Sequence, residues 1–267
     1  MGGFTIFDAH FHIIDHAFPV VENNGFLPEQ FDVDAYREHA ERLHVVGGAV
    51  VSGSFQAFDQ AYLRDALGRL GPTFVGVTQI PASTTDAELI ELDHAGIRAV
   101  RFNVRRGGSE TIEQLDAFAR RVHDIAGWHT ELYVDAADLP ELVDVIGSLP
   151  AVSIDHLGLS PQGLPILLRL VERGVRVKAT GFGRVDLDVS TAIRQIAEID
   201  PSALMFGTDL PSTRARRPFA DDDIDILVSE VGEEHAEAVL RTNAETFYRT
   251  STSTSAATLT QTATQTR

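Results

Sequence analysis

The chain has 267 residues, 43% of them hydrophobic, and a formal net charge of −17 at pH 7. That apolar content suffices for one α/β barrel or two small domains. The absence of cysteine excludes disulfides and thiolate metal ligands, and so acidic a chain is a poor nucleic-acid binder. No segment approaches the roughly 18 consecutive apolar residues of a membrane span. The N-terminus lacks the basic, apolar and small-residue regions of a signal peptide. A cytoplasmic protein without nucleic-acid or membrane partners is expected, and nothing in the sequence assigns an oligomeric state.

Taken in chain order, β-branched runs alternate with segments of helical period. Strands are predicted over 5–8, 48–51, 74–78, 99–103, 131–134, 153–155, 175–179 and 204–207. Helices are predicted over 34–43, 60–70, 85–94, 110–126, 140–147, 163–173, 190–199, 222–231 and 233–248, the third opening on a capping-box pattern from Thr85 to Glu88. Eight strand–helix pairs in about 250 residues predict an α/β fold, a (β/α)8 TIM barrel over residues 1–249. An open doubly wound sheet fits the alternation but would spread the polar strand ends along an edge. The Pro- and Asn-rich stretch 16–30 is long enough to cover the mouth. The Ser/Thr-rich residues 250–267 have too little apolar surface to order themselves and are expected to form a disordered tail.

Chemistry-bearing residues recur at the C-terminal ends of the strands. Asp8-Ala9-His10-Phe11-His12 follows the first apolar run, and strict alternation would put Asp8, His10 and His12 on one face. Two imidazoles and a carboxylate so arranged can bind a metal, polarise an oxygen or move a proton. Arg101 and Asn103 end strand four, Tyr133 lies on strand five, and Asp155-His156 ends strand six. Arg184 follows strand seven and Asp209 follows strand eight. Singly, each has an ordinary explanation: a hydrogen-bonded histidine, a helix cap, an arginine paired with a buried carboxylate. Closed into a barrel, they form one ring. Lys178, the only lysine, is expected to leave the barrel or enter a salt bridge.

These motifs resemble the amidohydrolase superfamily (amidohydrolase-related family 2). The residues carrying the resemblance are Asp8-Ala9-His10-Phe11-His12, Ile154-Asp155-His156 and Gly207-Thr208-Asp209. Within it the chain is similar to the branch of 2-pyrone-4,6-dicarboxylate lactonase-like and sugar lactonases, through 96–103, 127–133, 137–142 and 155–158. The resemblance implies a hydrolase that opens a lactone, a cyclic ester bearing a carboxylate. Asp209 would be the base that activates water, with His10, His12 and His156 stabilising the carbonyl oxygen. Arg101, Asn103, Tyr133 and Arg184 would bind substrate.

The superfamily also contains metal-dependent members. His129 falls at the wrong end of strand five to serve as their usual ligand there, and Glu131 lies below Tyr133. This argues against two metals and favours no required cofactor. His10, His12 and Asp209 remain the set for one Zn²⁺ or Mn²⁺, as a metal-dependent decarboxylase or hydratase would need. A non-catalytic anion-binding barrel is the third reading.

Overall fold

In a computed structural model, which describes residues 3–250, eight strands form one sheet in the consecutive order β1 to β8. They are β1 (Ile6–Phe11), β2 (Val45–Val51), β3 (Phe74–Thr78), β4 (Ile97–Phe102), β5 (His129–Leu132), β6 (Val152–Ile154), β7 (Arg176–Ala179) and β8 (Leu204–Phe206). Every pairing from β1·β2 to β7·β8 is parallel. Helices α1 (Val33–Arg42), α2 (Ala61–Leu70), α3 (Asp86–His94), α4 (Leu115–Ala126), α5 (Val143–Ile146), α6 (Leu164–Val171), α7 (Val189–Ile199) and α8 (Asp222–Val231) alternate with the strands. Consecutive order and uniform parallelism make this the expected (β/α)8 barrel, not a doubly wound sheet.

Local chemistry starts these helices where the sequence indicates. The Asp32 carboxylate accepts from Asp34 N and Ala35 N at the head of α1. Thr85 and Glu88 form the predicted capping box on α3, each side chain accepting from the other's backbone N–H. The predicted fourth helix is shorter than expected. Residues 112–114 form a single 3₁₀ turn, and α4 begins at Leu115.

The seam between β1 and β8 is closed by backbone bonds from the loop after β8: Asp209 N donates to His10 O at 2.7 Å, and His12 N to Leu210 O at 2.8 Å. Gly207 makes that approach possible, because a Cβ there would sit 2.7 Å from His10 N. Two apolar layers hold the barrel. Phe7, Ala9, Ala49, Val51, Val75, Val77, Ala99 and Met205 pack together within it. A larger cluster, including Phe11, Val50, Phe102, Val177 and Phe206, packs between strands and helices.

The chain then runs through α9 (Glu233–Glu237), a π-helical segment (Ala238–Thr242) and α10 (Asn243–Phe247). It delivers Tyr248, fully buried, into the inner cluster against Phe7. Thr250 N is bonded to Glu245 O; the remainder of the expected tail lies outside the described residues. Among the described residues no helix is long and apolar enough to cross a membrane.

Candidate active site

The site begins with a break in alternation on β1. Asp8 pairs with Gly48 and Phe11 with Val50, so three steps on β1 match two on β2, a β-bulge at Ala9-His10. Strict alternation therefore fails, and the expectation that Asp8 shares a face with His10 and His12 is corrected. Asp8 accepts from Tyr36 Oη of α1, from Thr208 N and Oγ1, and from His10 N. Burial pushes its carboxyl up to about 6, against the pull of those hydrogen bonds. Asp8 braces the seam. The extra residue turns His10 inward beside His12, their ring centroids 5.1 Å apart.

Inside, His10 and Asp209 are fully buried. Asp209 Oδ1 lies 3.8 Å from His10 Nε2 and 3.7 Å from His12 Nε2. Its other oxygen, Oδ2, accepts from Arg184 Nε at 2.8 Å and from Arg184 Nη2. Burial alone would raise this carboxyl, but Arg184, His156, His12 and His10 together hold it well below the usual range. The backbone is strained at two of these positions. His156 and Asp209 take φ of 53° and 60°, the left-handed region that costs a non-glycine residue about 1–2 kcal/mol.

Hydrogen bonds at the far side of each ring divide the three histidines that the resemblance treats alike. A carbonyl can only accept, so His12 Nδ1, 2.7 Å from Val51 O, carries a proton. His156 Nδ1 stands likewise at 3.3 Å from Thr180 O. Burial lowers the His156 pKa to about 3, with Arg184 and Arg101 reinforcing it and Asp209 and Asp155 opposing it. His156 is therefore neutral, with a bare Nε2. His10 differs: its Nδ1 faces Lys178 Nζ at 3.4 Å and not a carbonyl. Burial, with Lys178 and His156 adding to it, holds His10 well below its ordinary value.

Lys178 does not leave the barrel. It is fully buried beneath the histidines, donates to Glu131 Oε2 at 2.5 Å, and lies 3.7 Å from Asp155 Oδ1. Glu131 Oε1 also accepts from Tyr248 Oη at 2.5 Å and contacts His129 Nε2 at 3.0 Å. Burial would raise Glu131, but Lys178 and His129 bring it down to about 2. Glu131 and His129 thus lie deep in the barrel, as the strand register implies.

The mouth opens above as a cleft of about 350 Å³ whose lining includes His12, Phe55, Tyr133, His156 and four arginines. Two of these arginines are neutralised from within. Arg101 donates through Nε and Nη2 to Asp155 Oδ2 at 3.0 and 2.8 Å, and through Nη1 to Ser52 O. Arg184 is taken by Asp209. The other two, Arg106 and Arg214, have no carboxylate partner among the described residues. Arg214 stacks 4.3 Å above Phe26 and is held by Asn23 of the 16–30 loop, which thereby crosses the rim. Asn103 lines the cleft, but its Oδ1 accepts from Arg106 N and its Nδ2 reaches Gln79 at 3.4 Å. It shapes the loop that carries Arg106.

The structure thus gathers His10, His12, Arg101, Asn103, Tyr133, His156, Arg184 and Asp209 at one barrel end. Asp155, which ends strand six beside His156, lies below them; the structure adds Lys178 below, and Arg106 and Arg214 above, as residues outside the predicted ring. The signal for Lys178 is its place between valine and alanine on a buried strand, as the chain's only lysine. Arg214 belongs to a basic run after strand eight that could either bind a carboxylate or join surface ion pairs; Arg216 and Arg217 of that run pair with Asp186 and Asp223.

Two triplets of buried groups bring metal-binding atoms within 4.8 Å of one another: His10, His12 and Asp209, and His10, Asp155 and His156. The spacing suits a divalent ion. Both triplets include His10, whose Nδ1 lies 3.4 Å from Lys178 Nζ and 3.5 Å from Asp155 Oδ1.

Comparison with known proteins follows the same motifs. The family profile described as Amidohydrolase matches residues 7–250. A 2-pyrone-4,6-dicarboxylate hydrolase of Comamonas testosteroni is 28% identical over 248 residues, covering 81% of this chain and 80% of its own. A 4-sulfomuconolactone hydrolase of Rhizobium radiobacter is 26% identical over 244 residues, covering 82% and 80%. An apo protein of Agrobacterium tumefaciens superposes with a TM-score of 0.80 at 20% identity, over 92% of this chain and 96% of its own, a likeness of fold. The profile spans the first strand of the barrel and the tyrosine at its floor alike, and the chain belongs to the amidohydrolase family.

Proposed function

We propose that the protein hydrolyses a carboxylate-bearing lactone, with Asp209 as the base. The observation that carries this is a buried, ionised carboxylate set between two imidazoles and an arginine beside a small polar cleft. Asp209 takes a proton from water as the water attacks the lactone carbonyl, then returns it to the ring oxygen as the C–O bond breaks. His10 Nε2–H and the Tyr133 hydroxyl donate to the carbonyl oxygen as it gains charge. His156, which presents a bare Nε2 in its neutral ring, accepts the second O–H of the attacking water, and His12 lines the cleft beside it. Two hydrolases of lactones among the similar proteins, from Comamonas testosteroni and Rhizobium radiobacter, support the reaction class.

Arg106 and Arg214 hold the substrate carboxylate. Arg101 and Arg184 complete the wall, Arg184 exchanging Asp209 for the substrate anion and so freeing the base. With a proton on the His10 nitrogen that faces Asp209, the chemistry is assigned to side chains alone and needs no metal. The enzyme acts as one barrel over residues 1–249, in the cytoplasm, on a small molecule.

The test is proton release from a panel of carboxylate-bearing and neutral lactones, before and after dialysis against a chelator. Chelator-resistant hydrolysis of the charged members is expected. Activity lost on chelation and restored by Zn²⁺ or Mn²⁺ would instead favour the metal-dependent decarboxylase or hydratase.

A further inference from the structure

Lys178 is a buried cation that takes no part in the reaction above. It reaches the site through one atom, His10 Nδ1, 3.4 Å away. Its remaining neighbours are carboxylates, Glu131 Oε2 at 2.5 Å and Asp155 Oδ1 at 3.7 Å, so the amine stands as an ammonium that can only donate. His10 Nδ1 has a second neighbour, Asp155 Oδ1 at 3.5 Å, an acceptor with no hydrogen-bond partner among the described residues. The ring therefore stands between two arrangements. With Lys178 donating to Nδ1, the proton sits on Nε2 and points toward Asp209 and the cleft. Without Lys178, Nδ1–H would turn to Asp155 and Nε2 would be bare, as it already is in His156.

We propose that Lys178 is a positioning residue that holds His10 in the Nε2-protonated tautomer, making His10 a hydrogen-bond donor at the mouth and not a metal ligand. The device extends to the barrel floor. Glu131 fixes Lys178, and is itself fixed by Tyr248 Oη at 2.5 Å and by His129 Nε2 at 3.0 Å. A residue carried in by the last helix thereby sets where a proton sits on β1. The donor role of His10 rests on the lactonase reading, whereas the tautomer itself does not.

Two-bond proton–nitrogen correlation spectra of the full chain, with ¹⁵N-labelled histidine, read the tautomer directly. The His10 signals are assigned by their loss in His10→Gln. The expected result is a proton-bearing Nε2 and a bare Nδ1 for His10, the reverse of His156. The variant Lys178→Met/Glu131→Gln removes the cation together with its buried counter-charge, and its fold is checked by circular dichroism. There the two nitrogens of His10 should exchange character, with kcat falling about 100-fold, the loss typical of one oxyanion donor, and KM little changed. A His10 protonated at Nδ1 or at both nitrogens in the unmodified protein would overturn the proposal, even if the variant does not fold. So would an unchanged tautomer in the folded variant. Reversed tautomer with full turnover would leave the positioning intact and defeat the role given to His10 in lactone hydrolysis.

Discussion

Arg184 donates through Nε and Nη2 to one oxygen of Asp209, while the other oxygen faces His10 and His12 at 3.8 and 3.7 Å. The cation that keeps this carboxylate ionised also blunts it as a base, and only a competing anion relieves it. Asp209→Asn should therefore cut kcat by about 100-fold or more while substrate binding, measured calorimetrically, survives. Arg184→Met removes the strongest of the pulls that lower Asp209, so the acid limb of the kcat/KM profile should move to higher pH. A limb that stays in place would mean that another group controls it.

Arg106 and Arg214 are the cleft arginines without an internal carboxylate. Replacing either by alanine should raise KM for a carboxylate-bearing lactone about tenfold or more, the worth of a charge-assisted hydrogen bond at about 1.5–3 kcal/mol. Neutral lactones should be hydrolysed as before. Equal losses on both substrate classes would show that the arginines shape the loops and do not bind the anion.

Stability should fall on the acid side of neutrality. His10, His129 and His156 are all lowered, chiefly by burial, so the unfolded chain takes up protons near 6.5 that the folded chain refuses. Their contribution is complete above that pH and declines below it. Asp8, raised to about 6 by burial, opposes the trend between about 6 and 3.8. Below about 4.5 the lowered carboxyls Glu131, Asp155 and Asp209 add to the loss. Each net proton is worth up to about 1.4 kcal/mol per pH unit. Urea midpoints at successive pH values should drop from about pH 6.5 downward; a midpoint that rose on acidification would contradict these shifts.

Much of this site was legible beforehand because a parallel barrel has one mouth, and any polar residue ending a strand must face it. His156 and Asp209 needed only that rule, and α3 was announced by Thr85 and Glu88. The side chain of Asp8 was not legible. A bulge depends on how β1 registers with Gly48 across the sheet, and register is a property of two segments. Nor was the commitment of Arg101 to Asp155, since residues 54 positions apart meet only when β4 and β6 curve round the same axis. Lys178 was misjudged in part for the same reason, its counter-charge being on another strand.

Tyr248→Phe removes the hydroxyl that donates to Glu131 Oε1 and contacts Ala9 O at 3.2 Å. Losing that donor should destabilise the fold by about 1–3 kcal/mol, read from urea unfolding. Unchanged stability would mean that Lys178 and His129 satisfy the carboxylate by themselves.

That tyrosine also imposes an order on biosynthesis. Glu131 leaves the ribosome 117 residues ahead of the hydroxyl that will bind it, and the last three strands, β6 to β8, are made in between. A nascent barrel can therefore pair every strand and still hold an incompletely tethered carboxylate at its centre. Glu131 gains the last of its three partners only when the final turn of helix docks from below.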